Sequence, residues 1–89
     1  MNTEPKETIT IEVTEQDIQY GIPARANSCA IALPLKRAGH KNVAIDWFDA
    51  EIDGYYYTCS DETSEFLRKF DTNEPVAPFT ASFTLKASC

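Results

Sequence analysis

Glycine is scarce in this chain, with three in 89 residues. Phosphate-cradling loops need closely spaced glycines so that backbone N–H groups can approach the ligand, and no such pattern occurs. Histidine occurs once, at His40, so no His-x-x-x-His metal pair exists. Cys-x-x-Cys and Gly-x-Ser-x-Gly are also missing. Basic residues are few: 8 Lys and Arg against 14 Asp and Glu, a net charge of −6 and a pI near 4.6. Such a surface repels a phosphate backbone, which disfavours direct nucleic-acid binding and favours a basic partner. No apolar run reaches the length of a membrane span. The first residues are polar and carry no apolar signal core, so no secretion signal is read. Three cysteines, Cys29, Cys59 and Cys89, are odd in number and widely spaced, unlike a secreted disulfide framework. Free thiols in a reducing cytoplasm are the simplest reading. Cys89 is the last residue and a candidate for cross-linking two chains in air.

These absences exclude most enzymes, and no catalytic residue and no cofactor is expected. The length is that of one domain with a modest core. Residues 1–7 read as a flexible tail and residues 8–89 as a single domain.

What is present is patterned. "TITIEVT" alternates, with Ile9, Ile11 and Val13 on one face, as in a half-buried strand. Thr14 with Asp17 three residues on is a capping-box pattern that opens a short helix over 15–20, with Gly21 at its end. "NSCAIALPLKRAGH" offers Asn27 or Ser28 as an N-cap and Lys36, Arg37 and His40 around its C-terminal end. Pro34 either kinks this helix or opens a later one; one kinked helix is the favoured reading. "NVAIDW" alternates with Val43, Ile45 and Trp47 on one face, and Asp53-Gly54 marks a hairpin turn. Ser60 caps a helix with Phe66, Leu67 and Phe70 as its buried stripe. "FTASFTLKA" is the clearest strand, with Phe79, Ala81, Phe83 and Leu85 inward. The order β-α-α-β-β-α-β predicts a small α+β domain. Its sheet is mostly antiparallel, with helices packed on one face and the other face wet.

Residues 46–65 hold seven carboxylates and five aromatics, without a Lys or Arg. Asp49, Glu51, Asp53 and Gly54 match positions one, three, five and six of a calcium loop. Position twelve, which needs a bidentate carboxylate, is Ser60, and the flanks read as strands. A hairpin with an acidic outer face is the stronger reading. His40 reads as a helix-end cation rather than a general base. Cys29 at a helix start has the position of an activated thiol, but "CAIAL" reads as a buried helix flank. Tyr55, Tyr56 and Tyr57 are consecutive in a strand, so Tyr56 faces away from the other two. Exposed Tyr and Trp are common interface anchors.

Asp17-Ile18 followed by Gly21, the Cys-x-Ile-Ala-Leu run from Cys29 to Leu33, the Phe-Leu-x-x-Phe-Asp run from Phe66 to Asp71, and Pro-Val-x-Pro-Phe from Pro75 to Phe79 form a set of motifs. Together they resemble a family of small proteins encoded by bacteriophages and prophages. The resemblance covers most of the chain but rests on core and turn residues, and the family has no assigned activity. Pro34 and the acidic, aromatic centre depart from it. It implies residence in the cytoplasm of the bacterial host cell and a role in binding and inhibiting or redirecting a host protein, including anti-defence roles such as anti-CRISPR.

The expected contact is the acidic, aromatic hairpin: Asp46, Trp47, Asp49, Glu51, Asp53, Tyr55, Tyr56 and Tyr57, with Asp61 and Glu62 at the next helix start. Trp47 belongs either to this surface or to the core. The expected partner is a host protein with a basic surface, with no direct nucleic acid, no membrane, and the chain a monomer or weak homodimer. Charge reversal at Asp49, Glu51 and Asp53 together is expected to abolish binding and spare the fold. Two alternatives stand beside this one: an acidic DNA mimic in a nucleic-acid-binding groove, and a self-associating phage assembly accessory joined through a sheet edge.

Overall fold

Alternation produces the first strand. In Thr8–Val13 (β1), Ile9 and Val13 are buried and Ile11 is partly so, while Thr8, Thr10 and Glu12 face solvent or the rim. The computed structural model describes residues 6–86. Among the described residues β1 is followed by α1 (Glu15–Tyr20), α2 (Ala32–Arg37), β2 (Val43–Ile45), β3 (Asp49–Ile52), β4 (Tyr55–Cys59), α3 (Asp61–Asp71) and β5 (Phe79–Leu85). The strands make one antiparallel sheet in the order β1-β5-β4-β3-β2, with β5 inserted between β1 and β4. α2 packs on β1 and β2, and α3 on β4 and β5. Leu35, Phe66, Leu67 and Phe70 from the helices share one core with Ile9, Phe83, Tyr57, Ile52 and Ile45 from the strands. The class is α+β with the helices on one sheet face, as expected.

The tail read over residues 1–7 falls mainly outside the described residues, as does Cys89. Lys6 and Glu7 are described and are tied to the sheet. The Tyr57 hydroxyl donates to the Lys6 carbonyl (2.9 Å), and the Leu85 N–H donates to the Glu7 carbonyl (2.7 Å).

Two expectations are corrected. The kinked helix beginning at Asn27 or Ser28 does not form; residues 26–31 are turns and a bend, and α2 starts at Ala32. Pro34 thereby sits in the first helical turn, where backbone N–H groups have no intrahelical partner and none is lost. Trp47 is not on a strand. β2 stops at Ile45, residues 46–48 turn, and β3 begins at Asp49, which gives one strand more than the expected order. The turn is closed by the Asp46 N–H donating to the Asp49 carbonyl (2.7 Å) and by Asp46 Oδ1 accepting from the Trp47 N–H (3.0 Å). An aspartate that bonds the next backbone supplies a turn without Gly or Pro.

α1 holds because its cap is complete. Thr14 Oγ1 accepts from the Asp17 N–H (3.2 Å), and Asp17 Oδ2 accepts from the Thr14 N–H (2.9 Å) and hydroxyl (3.0 Å). The same carboxylate, 2% exposed, takes a two-pronged hydrogen bond from Arg37 on α2 (2.9 and 3.1 Å). Burial pushes the Asp17 carboxyl up, but the Arg37 and Thr14 hydrogen bonds outweigh it and hold the group below its usual range. Gly21 ends α1 with φ −66°, an ordinary value. Its need for glycine is contact: a Cβ there would meet the Ala30 backbone nitrogen at 2.5 Å and Cα at 2.7 Å.

β4 passes directly into α3 at Ser60, whose hydroxyl oxygen accepts from the Thr63 N–H (3.2 Å). With β4 ended, Ser82 on β5 loses its ladder partner, and Thr63 replaces it. The buried Thr63 Oγ1 accepts from the Ser82 N–H (3.0 Å), and the Ser60 N–H donates to the Ser82 carbonyl (3.0 Å). Phe66 then stacks on Phe79 with ring centroids 4.5 Å apart, fixing α3 over the start of β5.

Thr63→Val keeps the shape and strands the Ser82 N–H. The expected loss is about 2 kcal/mol in urea unfolding; an unchanged midpoint would show that this hydroxyl does not stand in for a strand. Asp17→Asn is expected to cost about 2 kcal/mol at neutral pH, from the lost charge-assisted bonds and cap. Because the folded carboxyl titrates below its unfolded value, the stabilisation is complete above about pH 4 and is lost as pH falls through the lower folded value. The gap between wild type and Asp17→Asn therefore narrows only under acid, which urea titrations across pH would measure.

Candidate functional site: an acidic, aromatic sheet face

The hairpin from β3 to β4 turns on Asp53 and Gly54, both with positive φ (55° and 87°), a pair that matches the twist of the strands. The register pairs Ala50 with Tyr57, Glu51 with Tyr56 and Ile52 with Tyr55. Parity then decides the faces. Tyr57 and Ala50 point into the core; Tyr56, Glu51 and Asp49 point to the face opposite the helices, across from Ala44 and Thr58. Tyr56 stands 61% exposed on that face. Ala44, the small residue beside Glu51, leaves a shallow concavity lined by Asp46, Asp49, Glu51 and Tyr56 with Ala26 and Ala44. Four of the expected contact residues are therefore gathered at one place.

The others are not. Tyr57 is corrected from contact residue to core. It is 2% exposed, its hydroxyl is spent on Lys6, and burial pushes its phenol up. Tyr55 is on the core side at the hairpin end, 41% exposed. Asp53 is spent inside the fold: Oδ2 lies 2.7 Å from His40 Nδ1, and Oδ1 accepts from the Lys41 N–H (2.8 Å). The His40 bond holds the Asp53 carboxyl below its usual range. The expectation that Asp53 can be reversed without harm to the fold is corrected accordingly, since a lysine there would lose both bonds that anchor the turn. Asp61 and Glu62 are exposed in the first turn of α3, the favourable end for acids, outside the concavity.

Trp47 projects from the β2–β3 turn toward α3. Its indole N–H donates to Asp71 Oδ2 (2.7 Å), while Asp71 Oδ1 accepts from the Ala24 N–H (2.9 Å). Trp47 thus closes a second depression with Arg25, Cys29, Ile45 and Leu67. It is a pinned, 36% exposed ring between core and surface. Phe48 was not among the expected contacts, yet it is 68% exposed beside Trp47. The signal available was its place in a two-aromatic turn between strands too short to bury both rings.

Asp49 is paired with Lys86 (2.8 Å) across the open face, and Glu65 with Arg68 (2.6 Å) on α3. Asp46 and Glu51 form no ion pair among the described residues. No group of three His, Cys, Asp or Glu side chains is arranged for a metal ion among the described residues. The flanks of the calcium-like stretch are strands, and its third acid, Asp53, is turned onto His40. Cys29 and Cys59 are buried. Burial pushes the Cys29 thiol up, and burial with the nearby Asp49 and Asp46 pushes Cys59 up to about 12.

No family model, curated protein or solved structure matches the chain. No helix among the described residues is long and apolar enough to cross a membrane.

Iodoacetamide at neutral pH is expected to leave Cys29 and Cys59 unmodified in the native protein and to label both in urea. Peptide mapping checks this, and a native Cys29 adduct would show the thiol to be accessible and activated.

Proposed function

We propose that the chain is a small binding protein that docks on a basic surface of a host protein and inhibits or redirects it. The contact is the open sheet face around Tyr56, Glu51, Asp46 and Asp49. The observation that carries this reading is Tyr56 itself. A rigid aromatic ring stands exposed among carboxylates on a sheet face that no described helix covers, with the small Ala44 on the far side of Glu51 leaving room for a partner side chain. A phenol ring flanked by acids suits a guanidinium or ammonium group, which stacks on the ring and pairs with the carboxylates. Glu51 and Asp46, without an ion pair among the described residues, add long-range attraction, which speeds encounter and rejects acidic surfaces. Asp49 joins only by releasing Lys86. The resemblance to small phage proteins supplies the setting, the cytoplasm of an infected bacterium, and the host as the source of the partner.

Glu51→Lys with Tyr56→Ala changes this face and leaves Asp53, Tyr57 and the core intact. Wild type and this double variant, used as paired baits on bacterial lysate, are expected to differ by one retained basic protein. Purified, that partner is expected to bind the variant at least about a hundredfold more weakly. Equal binding by both baits would remove this face from the mechanism. Release of the partner by duplex DNA, with steep salt dependence, would move the reading to nucleic-acid mimicry.

A further inference from the structure

The two outer edges of the sheet are treated differently. β2 is only three residues long, and its outward Ile45 N–H donates to the Ala26 carbonyl (2.9 Å) of the loop laid along it. β1 is six residues long and regular, with no Pro, Gly or Lys to blunt it. The Leu85 N–H donates to the Glu7 carbonyl, which fixes the phase of the β1–β5 ladder. Ile9, Ile11 and Val13 therefore turn their backbone groups toward β5, and Thr8, Thr10 and Glu12 turn theirs outward. Among the described residues nothing pairs with those outward groups.

We propose that the β1 edge binds β1 of a second copy, antiparallel, with the two-fold axis at Thr10, and joins two sheets into one of ten strands. This surface is separate from the Tyr56 face and does not rest on it. The choice of a second copy follows from self-complementarity. About this axis Thr10 meets Thr10 and Thr8 meets Glu12, so every outward group of β1 finds a partner, in about six hydrogen bonds. On the core side Ile11, left partly buried in one copy, lands beside Ile9 of the other and extends the core across the junction. The chain is acidic overall, but the register holds the two Glu12 side chains four residues apart along the strands. That is about 13 Å, beyond the screening length of about 8 Å at physiological salt. A register that set Glu12 against Glu12 would not escape this repulsion. Both Tyr56 rings end on the same side of the joined sheet, because directly paired residues share a face.

Sedimentation under reducing conditions is expected to show a concentration-dependent dimer. Thr10→Pro removes only outward-facing hydrogen bonds and is expected to raise the dimer dissociation constant at least about tenfold. A strict monomer at the highest soluble concentration, or a dimer indifferent to Thr10→Pro, overturns the proposal. A cysteine pair tests register independently of proline strain. In a Cys89→Ser background, Thr10→Cys is expected to cross-link on mild oxidation. Its Cα atoms would lie about 5.5 Å apart, within the span of a disulfide, about 4.4–6.8 Å. Glu12→Cys is expected not to link, and efficient linking at Glu12 with none at Thr10 overturns the axis.

Discussion

A carboxylate with almost no exposure sits where α1 meets α2, and both of its oxygens are committed. Asp17 closes the cap of its own helix through Thr14 and receives the Arg37 guanidinium from α2. A six-residue helix has little stability alone, so α1 exists because this group ties it at both levels. The Gly21–Ala30 approach continues the same constraint, bringing the chain from α1 tightly against the segment that leads into α2. With α2 so placed over β1 and β2, the intervening loop lies along the β2 edge and covers it through Ala26. The closed edge, the core under α2 and the concavity bordered by Ala26 all descend from where Asp17 holds Arg37.

The acidity of the central segment is smaller in space than in sequence. Asp49, Asp53 and Glu65 each face a cation or His40. Asp46, Glu51, Asp61 and Glu62 remain without one among the described residues, and they lie at two separate places. A phosphate-like row along a groove needs regularly spaced free charges, and this distribution is instead a small acid pair around a ring. Pairing within the fold turned a charged stretch into two small acid pairs, one beside Tyr56 and one at the start of α3.

Legibility in the sequence followed the range of each interaction. Period-two alternation placed β1 and β5, Asp53-Gly54 placed the hairpin, and Thr14, Asp17 and Ser60 placed the starts of α1 and α3, all from neighbours within a few residues, whereas the start expected for α2 at Asn27 or Ser28 fell in turns. Parity set Tyr56 against Tyr55 and Tyr57, but which side was buried depended on the helices, so Tyr57 read as surface. Trp47 read as strand because its turn carries no Gly or Pro, only Asp46 bonding its neighbour. Asp53 read as a free charge because His40 and Lys41, its partners, are brought to it by the fold. Arg37 with Asp17, Trp47 with Asp71 and Thr63 with Ser82 join residues about two dozen or fewer positions apart across different elements, and no local pattern encodes such pairs.

The position of β5 has a consequence for how the chain is made. Of the described strands β1 leaves a ribosome before the others, and its ladder partner, β5, after them. Until β5 emerges β1 has neither edge satisfied, while β2, β3 and β4 can form their meander at once. Loop closure over most of the chain must precede the β1–β5 ladder, and topologies of this kind fold slowly and expose strand during the wait. A nascent chain thus carries an apolar, unpaired "TITIEV" until β5 emerges, a segment of the kind that holding chaperones cover.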